Sequence, residues 1–178
     1  MQKRILCLLV DGFEEIELAT PVDVLRRAGA EVVVAGLHGM TAVGKCGMQV
    51  HADQLLATLD PAGFDLLLIP GGPGVGELRS DGRAAKLAQE FSSRGLWVAA
   101  ICAAPLVLLD AGILAGKQFT AYHSVRPELG GCPEARVVVD GKLITSRGPG
   151  TAMDFSLAIV SELFGAATAT AVAEEMMC

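Results

Sequence analysis

With 178 residues, the chain is long enough for a sizeable core, and we expect a single domain over residues 1–178. Hydrophobic residues make up 52% and charged residues only 19% of the sequence, which excludes a disordered chain. The net charge is -6 and no basic cluster occurs, so we expect no sequence-specific binding of nucleic acid. No apolar stretch is long enough to span a bilayer, and we expect no membrane association.

The first half of the chain predicts alternating strands and helices. A strand is predicted over residues 3–10, because Asp11 interrupts the apolar run too early for a secretion signal. Pro21 predicts a kink or a late start in the helix that follows. In chain order, the predictions are a helix over 14–28, a strand over 31–36, a hairpin or excursion over 41–52, and a strand over 65–69.

The second half continues the alternation. Ser80 or Asp81 is predicted to cap a helix that extends to about residue 94. Asp140-Gly141 is a typical hairpin turn between two late strands. In chain order, the remaining predictions are a strand over 97–101, a helix over 106–109, strands over 118–121, 136–139 and 143–145, and helices over 151–164 and 166–176.

This order predicts an α/β fold with a mostly parallel sheet and helices on both of its faces. Ligands bind such sheets at the carboxyl ends of the strands. Three strand ends are therefore candidate sites: Asp11-Gly12, the glycine-rich turn 70–74, and Cys102.

Cys102 stands where a buried strand ends and a helix begins. A side chain at such a turn is pushed out of the sheet and lies beside the N-terminal amides of the next helix. Those amides stabilise a thiolate, so we expect an acidic, reactive thiol, with a buried inert cysteine as the alternative. The five cysteines are odd in number and contain no CxxC pair, which indicates reduced thiols, a cytoplasmic protein and no metal site.

Other candidate residues have both a functional and a structural interpretation. The glycine-rich turn can offer amides to an oxyanion or simply form a tight turn. Glu17 can hold a proton beside a thiolate or be a surface charge. His123 is the best-placed histidine for a base, and is otherwise an exposed side chain. The segment Arg147-Gly148-Pro149-Gly150-Thr151 can bind an anion or make a sharp turn before a helix.

Several of these segments together resemble the ThiJ/PfpI family, in its DJ-one-like branch, over nearly the whole chain. The resemblance implies a three-layer flavodoxin-like sandwich with a nucleophile elbow, a homodimer, and activity without a cofactor. The matching segments are Asp11-Gly12-Phe13-Glu14-Glu15-Ile16-Glu17, residues 21–29, Pro70-Gly71-Gly72, Ala99-Ala100-Ile101-Cys102-Ala103-Ala104-Pro105, and residues 145–151.

The resemblance also implies roles for individual residues. Cys102 matches the family's nucleophile, and Glu17 matches the protonated glutamate that is hydrogen-bonded to it. The amides of Gly72 and Ala103 match a small oxyanion pocket, with Gly71 beside them. Two further matches, near the site at the dimer interface, are Arg27 and Pro149.

One segment departs from the family pattern Thr-x-His-Pro. In Thr120-Ala121-Tyr122-His123, the tyrosine takes the place of the histidine and His123 takes that of the proline. Adjacent residues of an extended chain point in opposite directions, so either Tyr122 occupies the pocket or a reshaped turn brings His123 to the sulfur. We favour Tyr122. A cysteine protease or glutamine amidotransferase needs an oriented histidine base, so both are disfavoured.

The family's activities lead to two functional hypotheses. The first is a cysteine-dependent deglycase or glyoxalase that acts on methylglyoxal or glyoxal and their early adducts with protein or nucleotide groups. The second is an oxidative-stress sensor or chaperone in which Cys102 is oxidised without significant turnover.

Overall fold

The computed structural model describes residues 2–178 and contains a seven-stranded sheet, a separate two-stranded sheet and flanking helices. The strands are β1 (Arg4–Leu9), β2 (Glu31–Gly36), β3 (Thr41–Val43), β4 (Gln49–His51), β5 (Gln54–Leu55), β6 (Leu66–Ile69), β7 (Trp97–Ile101), β8 (Val137–Asp140) and β9 (Leu143–Ser146). The α-helices are α1 (Glu15–Arg27), α2 (Val75–Asp81), α3 (Arg83–Ser93), α4 (Pro105–Asp110), α5 (Ala152–Phe164) and α6 (Ala166–Glu175).

The large sheet is mostly parallel. Its strand order is β5-β2-β1-β6-β7-β9-β8, and only the β8–β9 pair is antiparallel. The carboxyl ends of β1, β6 and β7 therefore meet at one edge of the sheet, which brings the three candidate strand ends together.

Alternating side chains of the central strands build two separate cores. Leu6 and Leu8 of β1 pack on one face with residues of α2, α3 and α4. Ile5 and Cys7 pack on the other face with residues of α1, α5 and α6. Both faces are apolar because a parallel sheet with helical connections is covered on both sides. This arrangement confirms the predicted three-layer α/β sandwich.

The strand predicted over residues 118–121 is wrong. The backbone N–H of Gln118 donates to the Asp140 carboxylate at 2.8 Å, and that of Thr120 donates to Thr145 Oγ1 at 3.0 Å. The adjacent strand β9 already pairs with β7 on one edge and with β8 on the other. The segment therefore has no free strand edge and satisfies its amides with side chains instead.

The helix predicted to start at Ser80 or Asp81 is also placed differently. A short helix, α2, ends at Asp81, and α3 starts at Arg83 after Gly82, whose φ of 79° is readily adopted only by glycine. Asp81 still accepts a hydrogen bond from the backbone N–H of Arg83 at 3.2 Å. Pro21 lies inside α1, so the helix does not start late.

The two predicted hairpins are present. Strands β3 and β4 form the antiparallel pair within the predicted excursion over residues 41–52. Asp140 and Gly141 connect β8 to β9 as predicted. Within residues 2–178, no helix combines the length and apolar character needed to cross a membrane.

Substitution of Phe155 tests how much the packing of α5 against the sheet contributes to stability. Its side chain is fully buried against the sheet, so Phe155→Ala should lower the free energy of unfolding by about 3–5 kcal/mol. Leu109 is 38% exposed, so Leu109→Ala should change the free energy of unfolding by only about 0.5 kcal/mol. Urea unfolding of both variants measures the difference, and equal losses would contradict the assignment of Phe155 to the core.

Candidate active site

Cys102 occupies a strained turn directly after β7. Its φ of 65° lies in the left-handed region, which is costly for a residue with a Cβ atom. Its backbone N–H donates to the Ser146 carbonyl at 2.9 Å, and its carbonyl accepts from the Tyr122 N–H at 2.8 Å. These two bonds hold the turn in place and point the thiol away from the sheet. The geometry confirms the predicted nucleophile elbow.

Glu17 approaches the same thiol from the first turn of α1. The side chain is completely buried, and its Oε2 accepts a hydrogen bond from the Gly71 N–H at 2.9 Å. Its Oε1 is buried without a hydrogen-bond partner among residues 2–178. No hydrogen bond of standard geometry joins either oxygen to the Cys102 sulfur, but the two groups are close enough to shift each other's pKa.

A glycine at position 71 is what allows this approach. A Cβ atom there would lie 2.6 Å from Glu17 Oε2 and 2.7 Å from the Cys102 Cβ. Neither atom has room to move, because both residues are buried. Position 71 therefore permits only a glycine between the carboxyl and the elbow.

Burial raises the pKa of Glu17 to about 7. Desolvation is the largest cause, since it disfavours the charged carboxylate. The thiol of Cys102 and the N–H of Gly71 lower this pKa, but they do not offset the burial. A carboxyl group with such a pKa exchanges its proton near neutral pH, as a general acid or base must.

Cys102 does not have the acidic thiol expected from its position at the turn. Burial is the largest cause and the negative charge on Glu17 the next, and together they raise the pKa of the thiol to about 12. The backbone N–H groups of Gly72 and Ala103 act in the expected direction and lower the pKa, but they are the weaker influences. The elbow amides are therefore outweighed by desolvation and by a neighbouring carboxylate.

Glu17 and Cys102 together form a two-proton site. When the site holds one proton, the charge lies on the carboxylate or on the thiolate, and moving the proton exchanges the two forms. A protonated Glu17 removes the charge repulsion that raises the pKa of the thiol. The pair can thus generate a thiolate by transferring its proton to Glu17.

A cavity of about 250 Å³ opens above the thiol. Lys45, from the turn between β3 and β4, reaches its wall and forms an ion pair with Glu14 at 3.4 Å. This ion pair raises the pKa of Lys45. The residues lining the cavity are Glu14, Lys45, Gly72, Pro73, Cys102, Ala103, Tyr122, Ser124 and Pro149.

Sequence reasoning missed Lys45 and Ser124 as wall residues, and it named Glu14 and Pro73 only within longer candidate segments. Lys45 is brought in by long-range bonds, since its N–H donates to the Phe13 carbonyl at 2.8 Å. No local sequence pattern signals such a contact.

The side chains of Tyr122 and His123 point in different directions, as expected for adjacent residues of an extended chain. The Tyr122 ring lines the Cys102 cavity. The His123 side chain is exposed and lies outside that cavity, although its ring centroid is only 4.2 Å from that of Tyr122. The structure therefore brings the tyrosine, and not the histidine, to the wall beside the thiol.

The remaining predicted residues are divided between the site and other contacts. Pro149 lines the cavity, and the N–H groups of Gly72 and Ala103 lie near enough to the sulfur to lower the pKa of the thiol. The Gly71 N–H is taken by Glu17 and is not available to an oxyanion. Arg27 lies at the end of α1, where it forms ion pairs with Asp23 and Glu175.

One group of side chains within the described part of the chain has metal-ligand spacing. The ligand atoms of Glu14, Glu15 and Cys46 lie within 4.8 Å of one another. Two of these residues already have protein partners. Glu14 pairs with Lys45, and Glu15 accepts a hydrogen bond from the Cys46 N–H at 2.6 Å.

The sequence and the fold are similar to those of known proteins. The Drosophila melanogaster protein dj-1beta is 42% identical over 184 residues, covering 99% of this chain and 98% of its own. Its crystal structure matches with a TM-score of 0.95 at 40% identity, covering 99% of this chain and 98% of that one.

Two prokaryotic relatives extend the comparison. A Bacillus subtilis protein provisionally named a cysteine protease is 40% identical over 154 residues, which are 84% of this chain and 91% of the relative. A Pyrococcus abyssi protein named a deglycase is 36% identical over 151 residues, which are 83% of this chain and 91% of the relative. The model of the DJ-1/PfpI family matches residues 3–162, from β1 to near the end of α5. With its elbow cysteine and buried glutamate inside that range, the chain belongs to the DJ-1/PfpI family.

Proposed function

We propose that the protein is a cofactor-free enzyme in which Cys102 acts on methylglyoxal or glyoxal and on their early adducts with protein or nucleotide groups. The products are lactate or glycolate. The observation that carries the proposal is the fully buried Glu17 beside the elbow thiol, with a pKa of about 7. Membership of the family and a relative named a deglycase support it.

The first step is addition of the Cys102 thiol to the aldehyde. With an early adduct, the thiol, amine or nucleotide group first leaves the former aldehyde carbon and takes the proton of the adduct's hydroxyl group, which regenerates the aldehyde. Glu17 takes the proton of Cys102 as the sulfur forms a bond to the aldehyde carbon, which gives a hemithioacetal. The charge that develops on the oxygen faces the N–H groups of Gly72 and Ala103. Preorganised donors of this kind contribute about 3 kcal/mol each in other enzymes. Glu17 then gives the proton it took from Cys102 to this oxygen, which completes the hemithioacetal and restores the carboxylate for the next step.

The second step moves hydrogen between the two substrate carbons. Glu17 removes the proton from the former aldehyde carbon and the neighbouring ketone carbon receives one, through an enediol. The aldehyde carbon is thereby oxidised to a thioester and the ketone carbon is reduced to an alcohol. Water then cleaves the thioester, which releases lactate and restores the thiol, so the net reaction adds one water to methylglyoxal.

We further propose that the protein is a cytoplasmic homodimer, with Arg27 and Pro149 near the partner subunit. Analytical ultracentrifugation of the purified chain tests the dimer, and a monomer at micromolar concentration would contradict it.

Removal of either member of the pair should abolish this chemistry. We expect Cys102→Ala and Glu17→Gln each to lower the rate of lactate formation from methylglyoxal by about 10²-fold or more, since each removes a nucleophile or a proton carrier. Lactate is measured in metal-free preparations. Cys178→Ala is the control, because Cys178 is exposed at the end of the chain. Full activity of Cys102→Ala would overturn the mechanism.

The exposed His123 should not act as a base. His123→Ala should keep activity close to wild type, far from the ~10²-fold loss expected for a general base. Tyr122→Ala, which removes a wall of the cavity, should raise KM for methylglyoxal. Steady-state kinetics of the two variants test this, and a large fall in kcat for His123→Ala would assign the base to His123. Such a result, together with peptide hydrolysis, would favour the protease named for the Bacillus relative.

Burial of Glu17 should make stability depend on pH. The pKa is raised in the folded state, so the folded protein binds the proton more tightly, and stability falls as pH rises from about 4.5 to about 7. The loss is about 3 kcal/mol. Urea unfolding at acid and neutral pH should show this difference in the wild type and not in Glu17→Gln. The exposed Glu162→Gln is the control, and an unchanged pH dependence in Glu17→Gln would contradict the raised pKa.

A redox sensor is the second candidate, and the buried thiol among amide donors favours it specifically. The N–H groups of Gly72 and Ala103 and a protonated Glu17 are suited to hold the oxygens of a sulfinate at Cys102. Mass spectrometry after mild peroxide treatment tests this function. Selective addition of two oxygens at Cys102 with negligible turnover of glyoxals would favour the sensor over the enzyme.

A further inference from the structure

A second cavity lies directly beside the one above Cys102. Its volume is about 280 Å³, and it shares Tyr122 and Pro149 with the first cavity. Residues of the predicted anion-binding or turn segment, 147–151, form one side. Arg126 and Arg147 both line it, together with His123 and Glu134. An adduct whose reacting carbon lies above Cys102 can therefore extend past the shared wall into this cavity.

The two arginines of this cavity differ from the others in the chain. The sequence contains nine arginines. Seven of them pair with a carboxylate at hydrogen-bond distance: Arg4, Arg26, Arg27, Arg79, Arg83, Arg94 and Arg136. Within residues 2–178, the exceptions are Arg126 and Arg147, and both line this cavity.

Arg126 is held in place without a hydrogen bond to a carboxylate. Its side chain is only 18% exposed, and its Nε donates to the Ala121 carbonyl at 3.0 Å. Its Nη1 lies 3.8 Å from Glu134, beyond hydrogen-bond distance, and the Glu134 side chain is 72% exposed. The terminal nitrogens are therefore free to donate to another acceptor.

Arg147 has no hydrogen bond or ion pair from its guanidinium to any of the described residues 2–178. Its backbone is fixed at the end of β9, since its N–H donates to the Arg136 carbonyl at 3.3 Å. It lies at intermediate exposure on the cavity wall. A chain with a net charge of -6 thus places two guanidinium groups around one cavity, and neither of them donates a hydrogen bond to a carboxylate, although Glu134 also lines the cavity.

We propose that this cavity is an oxyanion subsite, in which Arg126 and Arg147 bind a carboxylate or phosphate on the group that carries the reacting carbonyl. The planar guanidinium donates two parallel hydrogen bonds to such anions, which gives both affinity and orientation. The inference rests on the proposed function and narrows its substrate class to adducts of anionic thiols, amines or nucleotides. Free methylglyoxal carries no charge and does not use the subsite.

A matched pair of substrates tests the subsite. The hemithioacetals of methylglyoxal with N-acetylcysteine and with N-acetylcysteine amide differ only in a carboxylate. We expect the wild type to have a higher kcat/KM for the N-acetylcysteine hemithioacetal, because only this substrate carries the carboxylate. Arg147→Gln and Arg126→Gln should each reduce that preference by about tenfold, the loss expected for a charged hydrogen bond. Activity on free methylglyoxal should stay unchanged in both variants.

Arg94→Gln is the control variant. Unlike the two cavity arginines, Arg94 pairs with a carboxylate, that of Glu90, at 3.0 Å, and it lies before β7, at the edge of the sheet opposite the cavity. It should leave the substrate preference unchanged. Inhibition by inorganic phosphate and by acetate, compared in the wild type and in Arg147→Gln, distinguishes a phosphate from a carboxylate site.

Three results would overturn the proposal. One is an unchanged preference in both arginine variants while Cys102-dependent turnover is intact. Another is a shift from dimer to monomer in Arg147→Gln without a change in preference, which would assign the arginine to a subunit contact. If the wild type turns over no glyoxal at all, the proposed function fails, and calorimetric titration with phosphate then decides the subsite alone. Equal affinity of phosphate for the wild type and Arg147→Gln would be the third contrary result.

Discussion

The hydrogen bond from the Gly71 N–H to Glu17 holds the candidate site together. It joins the start of α1 to the glycine-rich turn after β6, and the missing Cβ at Gly71 lets the elbow of β7 come into contact with both. Three segments far apart in sequence thus meet at one carboxyl oxygen. The parallel sheet makes this possible, since the carboxyl ends of its central strands lie along one edge.

That contact also determines the electrostatics of the site. A carboxyl group that accepts only one good hydrogen bond in a buried position keeps its proton to a higher pH than a solvated one. The same desolvation works against a thiolate at Cys102, so the two groups compete for a single negative charge. Reactivity therefore depends on where the proton lies within the pair, and the amides of the elbow have a supporting role.

The sequence was informative where structure is local and where motifs are dense. The strand before Cys102, the elbow and the layered fold follow from short apolar runs and turn residues. Segment 118–121 shows where prediction from local sequence fails. Its residues are compatible with a strand, but both edges of the neighbouring strand β9 already pair with β7 and β8. Lys45 is a second case, since only tertiary contacts bring the β3–β4 turn to the cavity.

For a similar reason, the pKa of the Cys102 thiol was predicted to be lowered, whereas in the structure it is raised. The amides beside Cys102 follow from the strand–turn–helix pattern. The depth at which the thiol is buried, and the distance to a carboxylate from another segment, depend on how the layers pack. The amides, which the local sequence pattern predicts, have the weaker effect on the pKa of the thiol. Burial and the Glu17 carboxylate, which depend on tertiary packing, have the stronger effect.

The backbone of Cys102 has a consequence for how this protein can change. A non-glycine residue in the left-handed region costs of order 1 kcal/mol or more relative to glycine. Selection for thermal stability alone would thus favour glycine at this position and remove the sulfur. At this one residue, the stability of the fold and the presence of a nucleophile are opposed. Selection keeps a cysteine there only as long as its chemistry is needed.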